Sequence, residues 1–159
     1  MRSAASSSDV TIRPATAADE AALSSLAARL GECPLPRWRT PTEIATADFR
    51  AMMAAIGAGE ADNAVFIAAR GTTAAGCLHI HTATDFFGRR HAHLSVIAVS
   101  AAAEGTGVAD ALMIAAEHWA RERDLSLLTL NVIDGNARAR RLYARHGFQP
   151  EIVRYVKPL

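Results

Sequence analysis

Cysteine is scarce in this chain. Cys33 and Cys77 are the only two in 159 residues. They make no disulfide framework and show no metal-ligand spacing. Such scarcity fits a reducing compartment, and a cytoplasmic location is expected. Neither sign of charge is in excess: 17 Lys+Arg against 16 Asp+Glu leave a formal net charge of +1. That gives no electrostatic case for nucleic acid or membrane as a partner. No apolar run reaches the roughly 18 residues that a membrane span needs. The stretch Met1-Arg-Ser-Ala-Ala-Ser-Ser-Ser8 has one basic residue and no apolar centre. It does not read as a signal peptide, and residues 1–8 are expected to be a disordered lead. No internal repeat is visible. Two nucleotide signatures are missing as well. No Gly-Lys-Ser/Thr follows a glycine loop, which excludes a P-loop. Asp110 stands where a dinucleotide fingerprint would need its third glycine.

What is present is a chain in which 50% of the residues are hydrophobic. That is enough for a substantial core, and residues 9–159 are expected to form a single domain. Val10 to Arg13 reads as a strand stopped by Pro14. Thr16 and Asp19 form a helix-start box, and Leu23, Leu26, Ala27 and Leu30 follow at helical spacing up to Gly31. Pro34 and Pro36 make the next stretch a loop. Thr40, Pro41 and Glu43 open a second helix that Gly57 to Gly59 close. Strands are expected over 63–70, 75–82, 91–99 and 127–133, and a final extended region over 148–156. Helices are expected from Val108 to Arg123 and from Asn136 to Gly147. This order predicts an α/β fold, with a mixed, mostly antiparallel twisted sheet covered by about four helices.

The chain is organised around residues 94–123. A β-branched run, Leu94-Ser-Val-Ile-Ala-Val99, leads into Glu104-Gly105-Thr106-Gly107-Val108-Ala109 and then into an apolar-striped helix. Strand, glycine turn and helix start together make a phosphate-binding geometry: unpaired backbone N–H groups meet the positive end of the helix dipole. Glycine in such a turn also has a purely steric use, and alone the pattern does not choose between the two.

The second stretch, Asn136-Ala-Arg-Ala139-Arg-Arg-Leu142-Tyr143-Ala-Arg-His-Gly147-Phe148, chooses. Together the two resemble the GNAT superfamily of acetyl-CoA-dependent N-acetyltransferases. The first follows that family's Arg/Gln-x-x-Gly-x-Gly/Ala loop. The second follows its Asn-x-x-Ala-x-x-Leu-Tyr-x-x-x-Gly-Phe pattern. The close match runs from about Leu94 to Phe148, and the N-terminal half agrees only in its order of elements.

The resemblance implies a function: transfer of an acetyl group from acetyl-CoA, the cosubstrate, to a primary amine of a small molecule or peptide by direct attack. It implies that the strand before the glycine loop and the next strand splay apart, with the pantetheine arm in the gap. Backbone N–H groups from Gly105, Thr106, Gly107, Val108 and Ala109 would hold the pyrophosphate. The backbone N–H near Ile97 would meet the oxyanion, and Val99 would pair with the pantetheine arm. Tyr143 would protonate the departing thiolate, with Asn136 and Ala139 near the cofactor on the same helical face. Homodimers are common in the family, so a homodimer is expected by the same route. The chain departs from the pattern at Glu104, where arginine or glutamine is usual. A carboxylate beside a diphosphate is unfavourable unless it points to solvent or pairs with an arginine.

Each of these residues has a plainer reading. Tyr143 at this spacing also suits a core, and Asn136 also suits a helix cap. His93, six residues before Val99, is the candidate base, with an unperturbed pKa of about 6.5; it also reads as an ordinary strand histidine. Arg138, Arg140, Arg141 and Arg145 read as a solvated basic face. The acceptor pocket is expected from the first two helices, the Pro34 to Arg39 linker with Trp38, and the Asp85 to Gly88 turn, where Phe86 and Phe87 either line the site or pack beneath the turn.

Two other functions compete. One is a non-catalytic acetyl-CoA sensor using the same motifs. The other is a metal site. If His81 pairs with His91 and His79 with His93 across one hairpin, four imidazoles share a face. A register shift of one residue would scatter them.

Overall fold

The structure is a computed structural model and describes residues 10–159. The lead expected over residues 1–8 lies outside the described residues. Five strands form one sheet in the order β1-β2-β3-β4-β5. They are β1 (Val10–Pro14), β2 (Asn63–Arg70), β3 (Thr73–Thr84), β4 (Arg90–Val99) and β5 (Leu128–Leu130). The first four are antiparallel neighbours, and β5 runs parallel to β4. Four helices cover this sheet: α1 (Glu20–Ala28), α2 (Pro41–Ala58), α3 (Val108–Arg121) and α4 (Ala137–Arg145). The expected mixed, mostly antiparallel sheet under four helices is therefore present. Among the described residues no helix is long and apolar enough to cross a membrane.

Alternation along the strands divides the core in two. Leu78, Ile80, Ala92 and Leu94 face α3, meeting Val108, Leu112 and Ala116. Cys77, Val65, Ile67 and Ala69 point the other way, toward Leu23 and Leu26 of α1 and Met52 of α2. A bulge at Ser95 exchanges the faces of β4 halfway along. Ile80 pairs with Leu94 but His79 with Val96, so Val96 and Ala98 join the α1/α2 cluster while Ile97 and Val99 join the α3 cluster.

Helix signals read from sequence hold well. Thr40 caps α2 by accepting from the Glu43 N–H at 3.1 Å, and Gly59 ends it at φ +60. Gly31 ends the first helical segment as expected, and packing fixes its identity. A Cβ there would lie 2.7 Å from Pro41, so its glycine answers a close packing contact and not a left-handed stop.

Two strand expectations need correction. The 127–133 strand shortens to Leu128–Leu130, because only Ala92, His93 and Leu94 of β4 pair with it. The final region over 148–156 forms no strand; from Gln149 to Leu159 every residue is exposed. An extended segment becomes a strand only with a ladder partner. Here Pro150 and Pro158 withhold amide hydrogens, and among the described residues no strand pairs with the segment.

Candidate active site

The glycine loop begins where β4 ends. Residues 101–103 form one tight helical turn, and Glu104 to Gly107 lead into α3. Gly105 and Gly107 stand at φ +68 and +85, and nothing lies within 4 Å of where a Cβ would be. Their glycines thus serve backbone shape, not crowding. Gly107 is the N-cap of α3 and supplies no side-chain cap. The amides of Val108, Ala109 and Asp110 therefore start a 14-residue helix without side-chain partners, which suits an anion. The loop is braced from within. Thr106 Oγ1 donates to Ala103 O at 2.5 Å, and Arg70 Nη2 donates to Thr106 O at 2.9 Å. The Thr106 hydroxyl proton is used inside the loop, so its side chain shapes the loop and has only lone pairs left to offer.

Gly76 of β3, which the sequence did not single out, fixes where that helix start sits. A Cβ on it would lie 2.8 Å from Ala98 O and 2.9 Å from Val108 Cγ1. A bare backbone there lets α3 begin directly on the sheet.

Beyond Leu94, β4 has no strand partner on the β5 side. The ladder between the two strands thus ends at Leu94, which is what the expected splay requires. Ser100 N–H donates to Ala75 O on β3 at 2.8 Å. Strand alternation then points the N–H groups of Val99 and Ile97 the other way, into the gap. Val99 O faces that side too and accepts from Arg29 Nε at 3.2 Å.

Two groups able to carry a proton lie on opposite faces of the sheet. Tyr143 of α4 belongs to the same apolar cluster as Ile97 and Val99. Its ring is 5.9 Å from Phe148, and burial pushes its phenol up to about 12. Its hydroxyl has no hydrogen-bond partner among the described residues. His93 alternates with Ala92 and Leu94 and so faces the α1/α2 side. Its Nδ1 lies 2.8 Å from Thr129 Oγ1, which itself donates to Ala92 O at 3.4 Å. With the hydroxyl proton so committed, His93 Nδ1 is assigned as the donor, and Nε2 keeps its lone pair. Burial first, then His81 and His91 as like charges, holds the His93 pKa below its ordinary value. The ring is therefore neutral near pH 7.

The histidine hairpin has a register two residues away from the expected one. His81 pairs with His93, His91 with Ala83, and His79 with Val96. A shift of two keeps all four on one face, but they step along the strands. Ring centroids are 5.8 Å apart for His79 and His81, 5.4 Å for His81 and His93, and 6.3 Å for His91 and His93. Other partners engage them: His79 Nε2 meets Asn63 Oδ1 at 2.8 Å and His81 Nδ1 meets Ser95 Oγ at 3.2 Å. Among the described residues no group of three or more His, Cys, Asp or Glu is disposed to hold a metal ion.

Glu104, the departure from the loop pattern, pairs with two arginines. Arg29, just past α1, and Arg138, in the first turn of α4, both donate to Glu104 Oε1. The Arg138 hydrogen bond is the main reason its carboxyl lies below the ordinary value. The basic face expected on α4 is largely tied up. Arg140 meets Asp134 at 3.0 Å, and Arg145 meets Asp110 at 2.8 Å. Asn136 Oδ1 accepts from Ala139 N–H at 3.1 Å, a cap.

The acceptor side is only partly assembled. Pro34 O would lie 2.5 Å from a Cβ on Gly135, so the α1–α2 linker reaches the turn after β5. Phe86 and Phe87 do neither of the things expected. They are 96% and 86% exposed, touching each other at 5.5 Å, because Asp85 Oδ1 satisfies the Phe87 and Arg89 amides and forms the turn without them. Two open depressions, of about 550 and 330 Å³, lie on α1/α2 and on the outer side of α4; neither includes the loop or the histidines. Ser95, Thr129, Arg29 and Gly76 carry the geometry, yet sequence reasoning passed over all four. Only Gly76, a glycine within a strand, left a signal.

The profile of the acetyltransferase (GNAT) family matches residues 23–148. No curated protein matches the chain. Among solved structures, a transcriptional regulator from Bacillus halodurans is 24% identical, over 94% of this chain and 99% of that one, at a TM-score of 0.70. A ribosomal-protein-alanine N-acetyltransferase from Brucella melitensis is 20% identical over 94% and 99%, at 0.69. An acetyltransferase from Trypanosoma brucei is 18% identical over 95% and 100%, at 0.65. At these identities the likeness is one of fold.

Proposed function

This chain belongs to the acetyltransferase (GNAT) family, and from that premise we propose that it moves the acetyl group of acetyl-CoA directly to a primary amine of a small molecule or peptide. The observation that carries this reading is the unit of β4, glycine loop and α3. It offers uncapped helix-start amides at one end and two backbone N–H groups aimed into the strand gap at the other. The residues present fit the cosubstrate: Gly105 to Ala109 would hold its diphosphate, and Val99 would pair with its pantetheine arm. Acetyl-CoA supplies the acyl group as a thioester.

The chain's own groups divide the remaining work. The Ile97 N–H meets charge as it builds on the carbonyl oxygen, where a fixed donor is worth most. His93 Nε2 takes the amine's proton while Thr129 holds the ring. Tyr143 donates to the departing sulfur. Its phenol, raised to about 12, lies well above an ordinary thiol at about 8.5. It keeps its proton at rest and serves as a hydrogen-bond donor, so complete transfer to sulfur runs uphill. No enzyme nucleophile is needed. Burial pushes the Cys77 thiol up to about 12, far from a thiolate at neutral pH. The acceptor enters from the α1/α2 side, which His93 faces.

Calorimetric titration with acetyl-CoA tests the reading, on wild type and on Gly107→Glu. The substitution puts a side chain at φ +85 and a carboxylate beside the diphosphate, so saturable binding by the wild type should vanish in the variant. Equal binding by both would remove the loop from the site. Turnover of an amine by the wild type then separates an enzyme from a sensor.

A further inference from the structure

The loop that should receive an anion already holds one. Glu104 sits immediately before Gly105, and its Oε1 accepts from both Arg29 and Arg138. These arginines come from different faces of the sheet. Arg29 ends the α1 segment, and Arg138 is in the first turn of α4. Arg29 reaches further. Its Nε donates to Val99 O at 3.2 Å, the carbonyl that faces the strand gap, and its Nη1 donates to Glu32. A strap of side chains thus runs from the α1/α2 face, across the end of β4, over the loop, to α4. Two guanidinium groups and two carboxylates, Glu104 and Glu32, leave the clasp near neutral, with both cations held by the chain's own anions. It lies next to the positive end of α3. In form it is an anion site whose anion belongs to the chain.

We propose that Arg29 and Arg138 are phosphate-binding residues of this protein, and that Glu104 is their internal counter-anion in the unloaded state. The inference rests on the acetyl-CoA reading. A diphosphate has more charge and more acceptor oxygens than a carboxylate, and it can span two guanidinium groups. On loading, the phosphates take the arginines and the Glu104 side chain, 36% exposed, turns to water at little cost. Arg29 gives up Val99 O in the same step, which frees that carbonyl for the ligand lying in the gap. The strap and the ligand compete for one carbonyl and one pair of cations, so the clasp lowers cofactor affinity by design of the loop. This explains how a carboxylate is tolerated at a position where the family pattern has arginine or glutamine: the cations are supplied by two other elements.

The test is acetyl-CoA affinity by calorimetry at fixed ionic strength for wild type, Glu104→Gln, Arg138→Ala and the double variant, each first shown to unfold at the wild-type temperature. Glu104→Gln should bind about 5- to 10-fold tighter, the effect expected for two partly exposed ion pairs that no longer compete. Arg138→Ala should bind more weakly than wild type. The double variant should lose the part of the gain that freeing Arg138 supplies and keep the part that comes from Arg29. In turnover, Glu104→Gln should lower the KM for acetyl-CoA and leave kcat unraised, a split that a merely structural carboxylate would not produce. Saturable wild-type binding with Glu104→Gln equal or weaker would overturn the proposal and leave the acetyl-CoA reading standing. No binding by wild type or by Glu104→Gln would overturn both.

Discussion

The two faces of the sheet present different kinds of group. On the α3/α4 face the candidate groups are mainly backbone: the α3 amides, the loop glycines, and the β4 N–H groups turned into the gap. On the α1/α2 face they are side chains: His93 with Thr129, the histidine row, and Arg29. Backbone donors depend on chain path, so many side chains are compatible with them. Side-chain sites depend on which residue stands where. The residues that match the family pattern lie on the α3/α4 side, whereas His93 and Arg29 lie on the other.

The largest effect that would sharpen the contrast, after Gly107→Glu, lies with the proton-donating side chain proposed on the α3/α4 face. Tyr143→Phe should lower kcat about 100-fold, the lower range for a positioned proton donor. Stability should change by less than ~1 kcal/mol, because the ring and its contact with Phe148 remain. An unchanged kcat would return Tyr143 to the core and leave that face without a proton donor.

His93→Ala should cost about 10-fold in kcat/KM near neutral pH, below the usual range because water can stand in for the base. The wild-type profile should fall on the acid side below 6.5, the ordinary histidine value, since activity needs the neutral ring. That limb should disappear in the variant. A limb that persists would assign it to another group.

Acid stability separates the faces more gently. His79 is pulled down from 6.5 to about 4, chiefly by burial, then by His81 and His93. The unfolded chain therefore binds the proton more readily. The stability this contributes is present above pH 6.5 and is lost as pH falls toward 4. The loss should reach about 3 kcal/mol, the equivalent of the shift. Thermal unfolding of His79→Gln should be flatter across that window. Parallel curves would mean that the row does not couple to folding.

Much of this was legible in the chain itself. Caps and glycines placed the starts of α2 and α3 to the residue, because those signals are local. The hairpin register was misjudged by two residues, because the turn closes on Thr84 and Arg90, and the Ser95 bulge then shifts His79 by one more; neither leaves a mark in the residue types. The final segment was misjudged because being a strand requires a neighbour. Phe86 and Phe87 were expected at a site or under a turn, but Asp85 builds the turn unaided and leaves them in water.

Residue order alone determined the family, the sequence of elements, and the loop that begins α3, since these follow from periodicity, capping and two spaced motifs. Only the tertiary structure decided that Ile97 and Val99 point into a gap, that His93 has a free Nε2, and that Glu104 is held by arginines 75 and 34 positions away. Those facts depend on which strands stop pairing and which helices meet, and long-range packing settles both.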